Sequence, residues 1–441
     1  MTEQNTDSNR IAGTAPESDH TIDVHSKQAK IICLLFALFL LLTLESASRL
    51  IFVEDHLDTI LAFLKQDPEL FWRQRPNAQV SFQNVAVTTD RFGFRNSRLP
   101  DSKESGTFRI ICMGASPTFG WGVDYDKIYS SRLAARLKKE YSGTVEVFNG
   151  SVIGYTTHQG LRLLKKHVVK LQPDLITVSY VLNDLDRYRF FRSTGTPDRS
   201  LSSSNPVIIG IKNMLFRSAF LRLVEKLSFH LSARNVGFDK FKTNIYFPGA
   251  RRVPPEHYTE NLNHIIEFAR EKGIKVLLLK MPVNLPSPEQ LPETAITQAN
   301  ALLQKALKLA ETGRHDEALV KLAEAVKINK YLSEAYYWLG VCSRKKGDTE
   351  EAVNNFQKAK DMESFRCGQD GHLYNRLMAE LAVKNGLPLV DVVSAFRAFQ
   401  DEYLFVDPKA DPLHPNARGH EIIADLVYQG LKQHSLLPAK P

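Results

Sequence analysis

Short apolar runs alternate with longer amphipathic segments along most of this 441-residue chain. The short runs have the composition of buried strands, and the longer segments repeat their apolar positions at the spacing of a helix. Such an alternation predicts an α/β fold, in which a parallel sheet is covered by helices on both faces. The predicted strands span 109–113, 145–148, 175–180, 275–280 and 388–392, and the predicted helices span 161–171, 255–272, 373–385 and 416–431.

The first of these strands ends at a turn of small residues, in the stretch ICMGASPTFGWGV over 111–123. A strand that stops at such a turn presents one side chain at the carboxyl edge of the sheet, where open α/β folds place their sites. Here that side chain is Ser116, which makes it a candidate nucleophile. Asp126 is expected to cap the next helix, whose apolar face begins at Tyr129.

The N-terminal region combines a polar tail with the most apolar segment of the chain. Residues 1–29 lack periodicity and are predicted to form a disordered cytoplasmic tail. Ile31 to Leu44 is apolar but shorter than the roughly 20 residues that cross a bilayer, and the apolar character resumes after Glu45. We therefore predict a transmembrane anchor over 30–53.

Two alternatives to this anchor remain open from the sequence. A cleaved signal peptide would use Ser46-Ala47-Ser48 as its small-residue site, and a globular helix would be buried in protein. Lys27 and Lys30 precede the apolar segment, whereas Arg49 alone lies at its far side. This asymmetry predicts that the tail is cytoplasmic and that the rest of the chain lies outside the cytoplasm.

Two further segments lie outside the alternation of strands and helices. Residues 54–108 form a lead-in, in which the alternating pattern over 76–89 predicts a hairpin. Within an insertion over 188–248, Ile208 to Leu231 is amphipathic. It is interpreted as a lid, as a membrane-surface helix or as a helix packed on the sheet.

An internal repeat forms a second insertion. Similar residues recur at one fixed interval, in the pairs Gly313 and Gly347, Ala318 and Ala352, Leu322 and Phe356, and Ala325 and Ala359. The period of 34 residues and the residue types resemble the tetratricopeptide repeat (TPR), in which small residues let two antiparallel helices approach closely. The resemblance implies an all-α TPR unit over 292–365, which is either a docking surface for a protein partner or a stabilising insertion.

Composition limits the partners and cofactors. The formal net charge is +8, but Lys and Arg are scattered, which favours a solvated basic surface over nucleic-acid binding. The four cysteines, Cys33, Cys112, Cys342 and Cys367, lack metal-ligand and redox spacing, and the histidines lack metal-ligand spacing as well. We therefore expect no metal and no organic cofactor.

The end of the chain supplies a base for the candidate serine. In the stretch DPLHPNARGHEI, Asp411 precedes His414 by three residues, so its carboxylate can hold the Nδ1 proton and leave Nε2 free. His420 is a rival base. However, it lies inside a predicted helix and has no such partner.

Four separated motifs resemble, in order and spacing, those of the SGNH/GDSL hydrolase superfamily. They are GAS at 114–116, NGSVIG at 149–154, Asn183-Asp184 and the block from Asp411 to His414. The lead-in RFGFRNSRLP, over 91–100, resembles that of membrane-anchored bacterial members. The resemblance implies a flavodoxin-like three-layer α/β/α domain in two parts, 109–291 and 366–436, on either side of the repeats.

The resemblance also implies a role for each site residue. Ser116 is expected to be the nucleophile, His414 the base and Asp411 the group that orients the base. The oxyanion is expected to accept hydrogen bonds from the backbone N–H groups of Ser116 and Gly154 and from the Asn183 amide.

The chain departs from the family pattern at a few positions. Ala115 replaces the aspartate of the first block, and Val181 and Leu182 replace glycines that are common before Asn183. Pro117 has no N–H, so it argues against an α/β-hydrolase elbow, which takes an oxyanion donor from that position. The SGNH arrangement uses the N–H of the serine itself and is unaffected.

These features predict a serine esterase or acyl transferase that acts on acyl esters of envelope glycans or lipids. The enzyme is expected in the bacterial inner membrane, with its catalytic domain in the periplasm or otherwise outside the cytoplasm. The alternative is a catalytically weak or inactive SGNH/TPR scaffold protein of envelope or exopolysaccharide assembly.

Overall fold

Strands and helices alternate along the described part of the chain. The computed structural model describes residues 19–51, 63–97, 99–100, 102–187, 189–190, 195–215, 218–224, 250–283, 291–399, 401–407 and 411–438. Its main helices are α1 (Asp19–Ile51), α2 (Ser116–Phe119), α3 (Tyr129–Glu140), α4 (Thr157–Lys166), α5 (Pro206–Leu215), α6 (Pro255–Glu271), α7 (Glu293–Glu311), α8 (His315–Ile328), α9 (Ser333–Lys345), α10 (Thr349–Asn385), α11 (Val392–Ala398) and α12 (Ala417–Gln433).

Five of the strands form one parallel sheet, and the others form three antiparallel pairs. The strands are β1 (Leu64–Asp67), β2 (Phe71–Gln74), β3 (Gln79–Phe82), β4 (Val85–Thr88), β5 (Phe108–Met113), β6 (Val145–Asn149), β7 (Leu175–Val178), β8 (Lys275–Lys280), β9 (Leu389–Asp391), β10 (Phe405–Asp407) and β11 (Asp411–Pro415). The order of the large sheet is β6-β5-β7-β8-β9, with every neighbouring pair parallel. This confirms the parallel sheet, and the strand order is that of the flavodoxin-like fold.

Strand β5, which lies between β6 and β7, is buried on both faces because helices cover the sheet on both sides. Ile111 and Met113 belong to a core layer shared with α4, α6 and α10. Ile110 and Cys112 point the other way, into a layer shared with α3 and α12. The alternation of the two layers along one strand follows from the two-residue period of strand side chains.

The lead-in contains two hairpins. The predicted hairpin is confirmed, since β3 pairs with β4 in antiparallel register. A second hairpin, in which β1 pairs with β2, was not predicted from the sequence. Its strands are four residues each and only partly alternate in polarity, so they give a weak pattern.

Two helix starts differ from the sequence prediction. Asp126 lies in a short 3-10 turn, and α3 is preceded by Ile128, whose side chain makes no capping bond, so Asp126 is not a helix cap. The helix predicted over 161–171 begins earlier, at Thr157. Thr156 and Gln159 form a capping box there, in which each side chain bonds the backbone N–H of the other residue.

The largest difference concerns α10, which runs without interruption for 37 residues. The helix predicted over 373–385 is only its last part. The predicted boundary between the repeats and the second part of the hydrolase domain, at 365 and 366, therefore falls inside one helix. Gly368 and the Asp370-Gly371 pair stand inside this helix, and Asp-Gly is a turn signal in the sequence. An added Cβ at Gly371 would lie 2.9 Å from Val283, so the close packing of the helix on that segment requires the glycine and overrides the signal.

Four consecutive helices, α7 to α10, make up the region in which the repeats were predicted. The first three share a hydrophobic cluster that includes Ala318, Leu322 and Ala325. At Gly340 in α9 an added Cβ would lie 2.8 Å from the Phe356 ring of α10, so glycine allows these two helices to approach closely.

The unit formed by residues 1–55 and 215–232 is separate from the unit formed by 56–214 and 233–441. In the first unit, α1 contains one candidate membrane span, Gln28–Leu50, by length and composition. The prediction of a disordered tail is wrong for residues 19–29, because α1 begins at Asp19. Residues 1–18 lie outside the described part.

Candidate active site

Ser116 lies at the carboxyl end of β5, as its position after the apolar run predicted. It is the first residue of the short helix α2, and its side chain is buried. Gly114 permits the turn, because an added Cβ would lie 2.2 Å from Thr118 Oγ1 and 2.3 Å from Ser179 Oγ. These two hydroxyls bond each other across the ends of β5 and β7.

The predicted serine, histidine and aspartate form a hydrogen-bonded row. Ser116 Oγ lies 2.8 Å from His414 Nε2, and His414 Nδ1 lies 2.8 Å from each carboxylate oxygen of Asp411. The backbone N–H of His414 also donates to Asp411 at 3.2 Å. A base that contacts a serine and is oriented by a carboxylate is the arrangement that serine nucleophiles require.

Trp121 is a residue of this site that sequence reasoning missed. Its ring stacks on the His414 imidazole with centroids 4.8 Å apart and an angle of 10° between the planes. On its other side it contacts Phe82 of the β3–β4 hairpin. The aromatic residue between Gly120 and Gly122 was the available signal.

His420 lies apart from this row. Its Nδ1 accepts a hydrogen bond from the Tyr129 backbone N–H at 3.1 Å, and burial lowers its pKa to about 3. A neutral acceptor that holds the start of α3 is a structural role, which agrees with the preference for His414.

The loop that contains Gly154 is fixed by side chains from other parts of the chain. Trp72 Nε1 donates to the Ile153 carbonyl at 2.9 Å, and Gln74 accepts from the Ile153 N–H at 3.1 Å. The Ile153 carbonyl and the Gly154 N–H belong to one planar peptide, so the bond from Trp72 fixes the direction of that N–H. Gly154 has φ +75, and an added Cβ would meet Phe190 at 2.8 Å.

A buried ion pair fixes the other side of the same residue. Arg252 Nη1 donates to the Gly154 carbonyl at 2.7 Å, and its Nη2 lies 3.1 Å from Asp198. Asp198 also accepts from the Thr156 hydroxyl at 2.8 Å. Both charged groups are almost completely buried and have several partners, as buried ion pairs require.

Asn183 and Asp184 follow β7 at the same edge of the sheet. Asn183 Nδ2 is buried and has no hydrogen-bond partner among the described residues. A buried donor that is left unsatisfied costs stability, so such groups often mark functional sites. Asp184 instead holds the N-terminus of α4, because its Oδ1 accepts from the Thr157 N–H at 2.8 Å.

The comparison with known families agrees with this geometry. The sequence model of the GDSL-like Lipase/Acylhydrolase family matches residues 112–330. These residues contain a GDSL-like hydrolase domain, and the match extends into α7 and α8. It is consistent with a serine hydrolase that acts on ester bonds. The matched range contains Ser116, Gly154 and Asn183 and ends before the segment with Asp411 and His414.

Solved structures with a similar chain trace are distant from this GDSL domain in sequence. A lipase/acylhydrolase from Enterococcus faecalis is 14% identical, with 74% of this chain and 96% of that chain covered and a TM-score of 0.35. A catalytic mutant of the acetylxylan esterase Axe2 from Geobacillus stearothermophilus is 12% identical, with 76% and 96% covered and a TM-score of 0.36. The esterase EstA from Pseudoalteromonas sp. is 10% identical, with 74% and 98% covered and a TM-score of 0.35. No curated protein matches the chain.

The lead-in holds the GDSL domain at two points of the site. Arg95 is buried and donates to the carbonyls of Gly120 and Val123, at 2.6 and 2.7 Å, which fixes the loop after α2. Asn96 exchanges two hydrogen bonds with the backbone of Asn149, at 2.9 and 3.0 Å, where the second motif begins. The RFGFRN segment therefore connects the turn after Ser116 with the loop that contains Gly154.

The residues described in the structure include no group of three His, Cys, Asp or Glu side chains that could hold a metal ion.

Proposed function

We propose that this protein is a serine esterase or acyl transferase that acts on acyl esters of envelope glycans or lipids, from an anchor in the bacterial inner membrane. The observation that carries the proposal is the hydrogen-bonded row of Ser116, His414 and Asp411 at the carboxyl edge of the sheet. The GDSL family supports ester bonds as the target.

In the proposed mechanism, Ser116 Oγ attacks the ester carbonyl while His414 Nε2 accepts its proton. Asp411 holds the Nδ1 proton and stabilises the imidazolium that forms. His414 then returns the proton to the leaving alcohol, and an acyl-serine remains. Water, or an acceptor hydroxyl in the case of transfer, attacks the acyl-serine and regenerates Ser116.

The proposed oxyanion hole comprises the backbone N–H groups of Ser116 and Gly154 and the Asn183 amide. The buried and unpartnered Nδ2 of Asn183 supports this assignment, since an oxyanion would supply the missing acceptor. The bond from Trp72 to the Ile153 carbonyl supports it as well, because it orients the Gly154 N–H before the substrate binds.

The proposed location rests on α1 and on the distribution of basic residues. Gln28–Leu50 is long and apolar enough to cross a bilayer. Lys27 and Lys30 stand on the side of the tail, so the positive-inside rule favours a catalytic domain outside the cytoplasm.

We propose that α7 to α10 are a TPR-like pair of repeats that docks a protein partner. The 34-residue period and the close approach at Gly340 support this interpretation. In the alternative function, the hydrolase is a weak or inactive part of a scaffold. The replacement of glycines by Val181 and Leu182 before Asn183 favours that alternative.

The Ser116→Ala variant tests the proposal. It is expected to lose at least about 10³ of the turnover of a short activated ester and to lose labelling by a fluorophosphonate probe, because triad residues act as a unit. Ser130→Ala is the matched control, since Ser130 is equally buried and its hydroxyl has no partner among the described residues. Equal turnover and labelling of Ser116→Ala and wild type would make the esterase proposal wrong.

A further inference from the structure

Helix α5, in the unit that also contains Ser116, exposes apolar side chains to solvent. In α5, Val207, Ile208, Ile211 and Met214 are 69%, 53%, 50% and 64% exposed. At 100° per residue these four side chains share one face of the helix, and the buried Ile209 lies opposite them. Contiguous exposed apolar surface of this kind marks an interaction site.

The orientation of α5 is fixed by hydrogen bonds on its inner face. Asn213 accepts from the Gln66 N–H at 2.8 Å and donates to the Gln66 carbonyl at 2.9 Å, so it completes the backbone bonding of β1. Before the helix, the Ser204 N–H donates to the Pro68 carbonyl at 2.9 Å. The polar face of α5 is therefore bound to protein, and its apolar face is held outward.

We propose that the outward face of α5 lies in the headgroup region of the same bilayer that α1 spans. The inference rests on the proposed membrane anchoring, and it adds a second contact between the protein and the lipid.

The position of α5 and its hairpin relative to α1 in the chain favours lipid as the partner of the exposed apolar face. The β1–β2 hairpin, to which α5 is bound, is the first pair of strands after α1 in the chain. The connecting residues 52–62 can reach at most about 40 Å even when fully extended. This covalent limit leaves the hairpin and α5 within reach of the membrane surface.

The chemistry of the face agrees with this occupant. Its four side chains are aliphatic or thioether groups without a hydrogen-bonding atom that would select a particular protein. Lys212 is exposed at the edge of the face, where its ammonium can reach anionic headgroups while the stem covers apolar surface. An amphipathic helix with this arrangement lies in the plane of the interface.

The test uses the full chain reconstituted in vesicles of phosphatidylethanolamine and phosphatidylglycerol. Ile211→Trp is compared with wild type, so that fluorescence from Trp72, Trp121 and Trp338 is subtracted. The added fluorescence is expected to shift to the blue and to be quenched at least twofold by lipids brominated near the headgroup. Val320→Trp is the matched control, because Val320 is 57% exposed on α8, and its fluorescence should not be quenched.

Two outcomes would overturn the proposal. One is an Ile211→Trp signal as insensitive to brominated lipid as that of Val320→Trp. The other is a polypeptide adduct, to a second copy or to another protein, from a photocrosslinking amino acid at position 208 in cells. An adduct to phospholipid supports the proposal. Quenching and crosslinking do not depend on turnover, so they separate this inference from the esterase proposal.

A functional measurement adds independent support or refutation. Ile211→Asp is expected to keep the turnover of a short soluble ester within about twofold of wild type and to reduce the turnover of an acyl ester embedded in vesicles at least fivefold. Equal loss on both substrates would indicate damage to the fold and would be checked by the melting temperature. Equal retention on both would count against the membrane contact.

Discussion

Asn183 has a buried amide donor without a hydrogen-bond partner among the described residues, and it follows β7 at the edge of the sheet at which Ser116 lies. If that donor serves the oxyanion, Asn183→Ala should lower kcat by about 10²–10³ with little change in KM, because the interaction forms mainly in the transition state. The melting temperature should stay level or rise, since an unsatisfied buried group is removed. Initial rates with a short activated ester and a thermal melt measure both quantities.

Asn355→Ala is the control, for which we expect the opposite result. Asn355 is buried in α10 and its amide donates to the Glu351 carbonyl at 3.0 Å, so its loss should lower the melting temperature and leave kcat unchanged. A change confined to KM in Asn183→Ala would remove Asn183 from the proposed oxyanion hole.

Asp184 links the stability of the fold to pH. Burial raises its pKa to about 7, although the hydrogen bonds from Thr157 oppose the shift. The folded protein keeps this proton at pH values where the unfolded chain has lost it. The contribution of Asp184 to the free energy of unfolding is therefore largest below about pH 4 and is lost as the pH rises to about 7.

We expect Asp184→Asn to remove this dependence, because the amide keeps an oxygen for Thr157 and cannot ionise. The free energy of unfolding of the variant minus that of wild type should rise between about pH 4 and pH 7 and then level off. Urea titrations across this range measure it. If the difference in the free energy of unfolding between Asp184→Asn and wild type does not change with pH, the expected titration of Asp184 is contradicted.

Single residues were predictable where the chemistry is local in the chain. Ser116 was predicted because it stands in the small-residue turn that ends an apolar run. Asp411 and His414 were predicted because they are only three positions apart in the chain. Trp72 and Arg252 were not predicted, because each reaches the Gly154 loop from a distant part of the chain. Their contacts depend on tertiary packing, which leaves no periodic signal in the sequence.

At the scale of elements, strands buried on both faces were the most predictable. The strand over 275–280 was predicted with its observed limits, since its apolar core is bounded by lysines and by Gly273. Helix limits were less predictable, because they depend on competing caps. Asp126 is of a residue type that often caps helices, yet the residue that directly precedes α3 is Ile128. The length of α10 was not predictable, because Gly368 and the Asp370-Gly371 pair resemble a stop signal that the packing of Gly371 on Val283 overrides.

The packing of α9 on α10 offers an element-scale test of the TPR-like unit. Gly340→Leu would place a side chain where Phe356 and the Ala352 carbonyl already lie, at 2.8 and 3.0 Å from the added Cβ. Overpacking of this kind costs about 1–3 kcal/mol. We expect a lower melting temperature and loss of a crosslinked envelope partner, with turnover of a small ester kept within about tenfold of wild type.

Lys345→Leu is the control for added bulk, because Lys345 is exposed near the end of the same helix. It should retain the melting temperature and the crosslinked partner. If Gly340→Leu instead keeps the partner while small-ester turnover collapses, the helices support the active site and are not a docking surface.

At the scale of the whole molecule, the proposed topology has the N-terminus in the cytoplasm and one retained span. An alkaline phosphatase fused after Pro441 should be active, because this reporter folds only outside the cytoplasm. A reporter that folds only in the cytoplasm, fused at the same position, should be inactive. The mass of the intact protein should include residues 1–48, and a mature start at Arg49 would establish a cleaved signal peptide instead.

The uninterrupted α10 connects α9 with the edge of the sheet at which Ser116 lies. Its 37 residues extend about 55 Å. The first half packs on α9, and near the other end Asn375 bonds the N–H and the carbonyl of Met281, directly after β8, at 3.1 and 2.9 Å. One continuous helix therefore joins the packing against α9 to the edge of the sheet at which Ser116 lies. A displacement of its first half would be transmitted along the helix axis toward that edge.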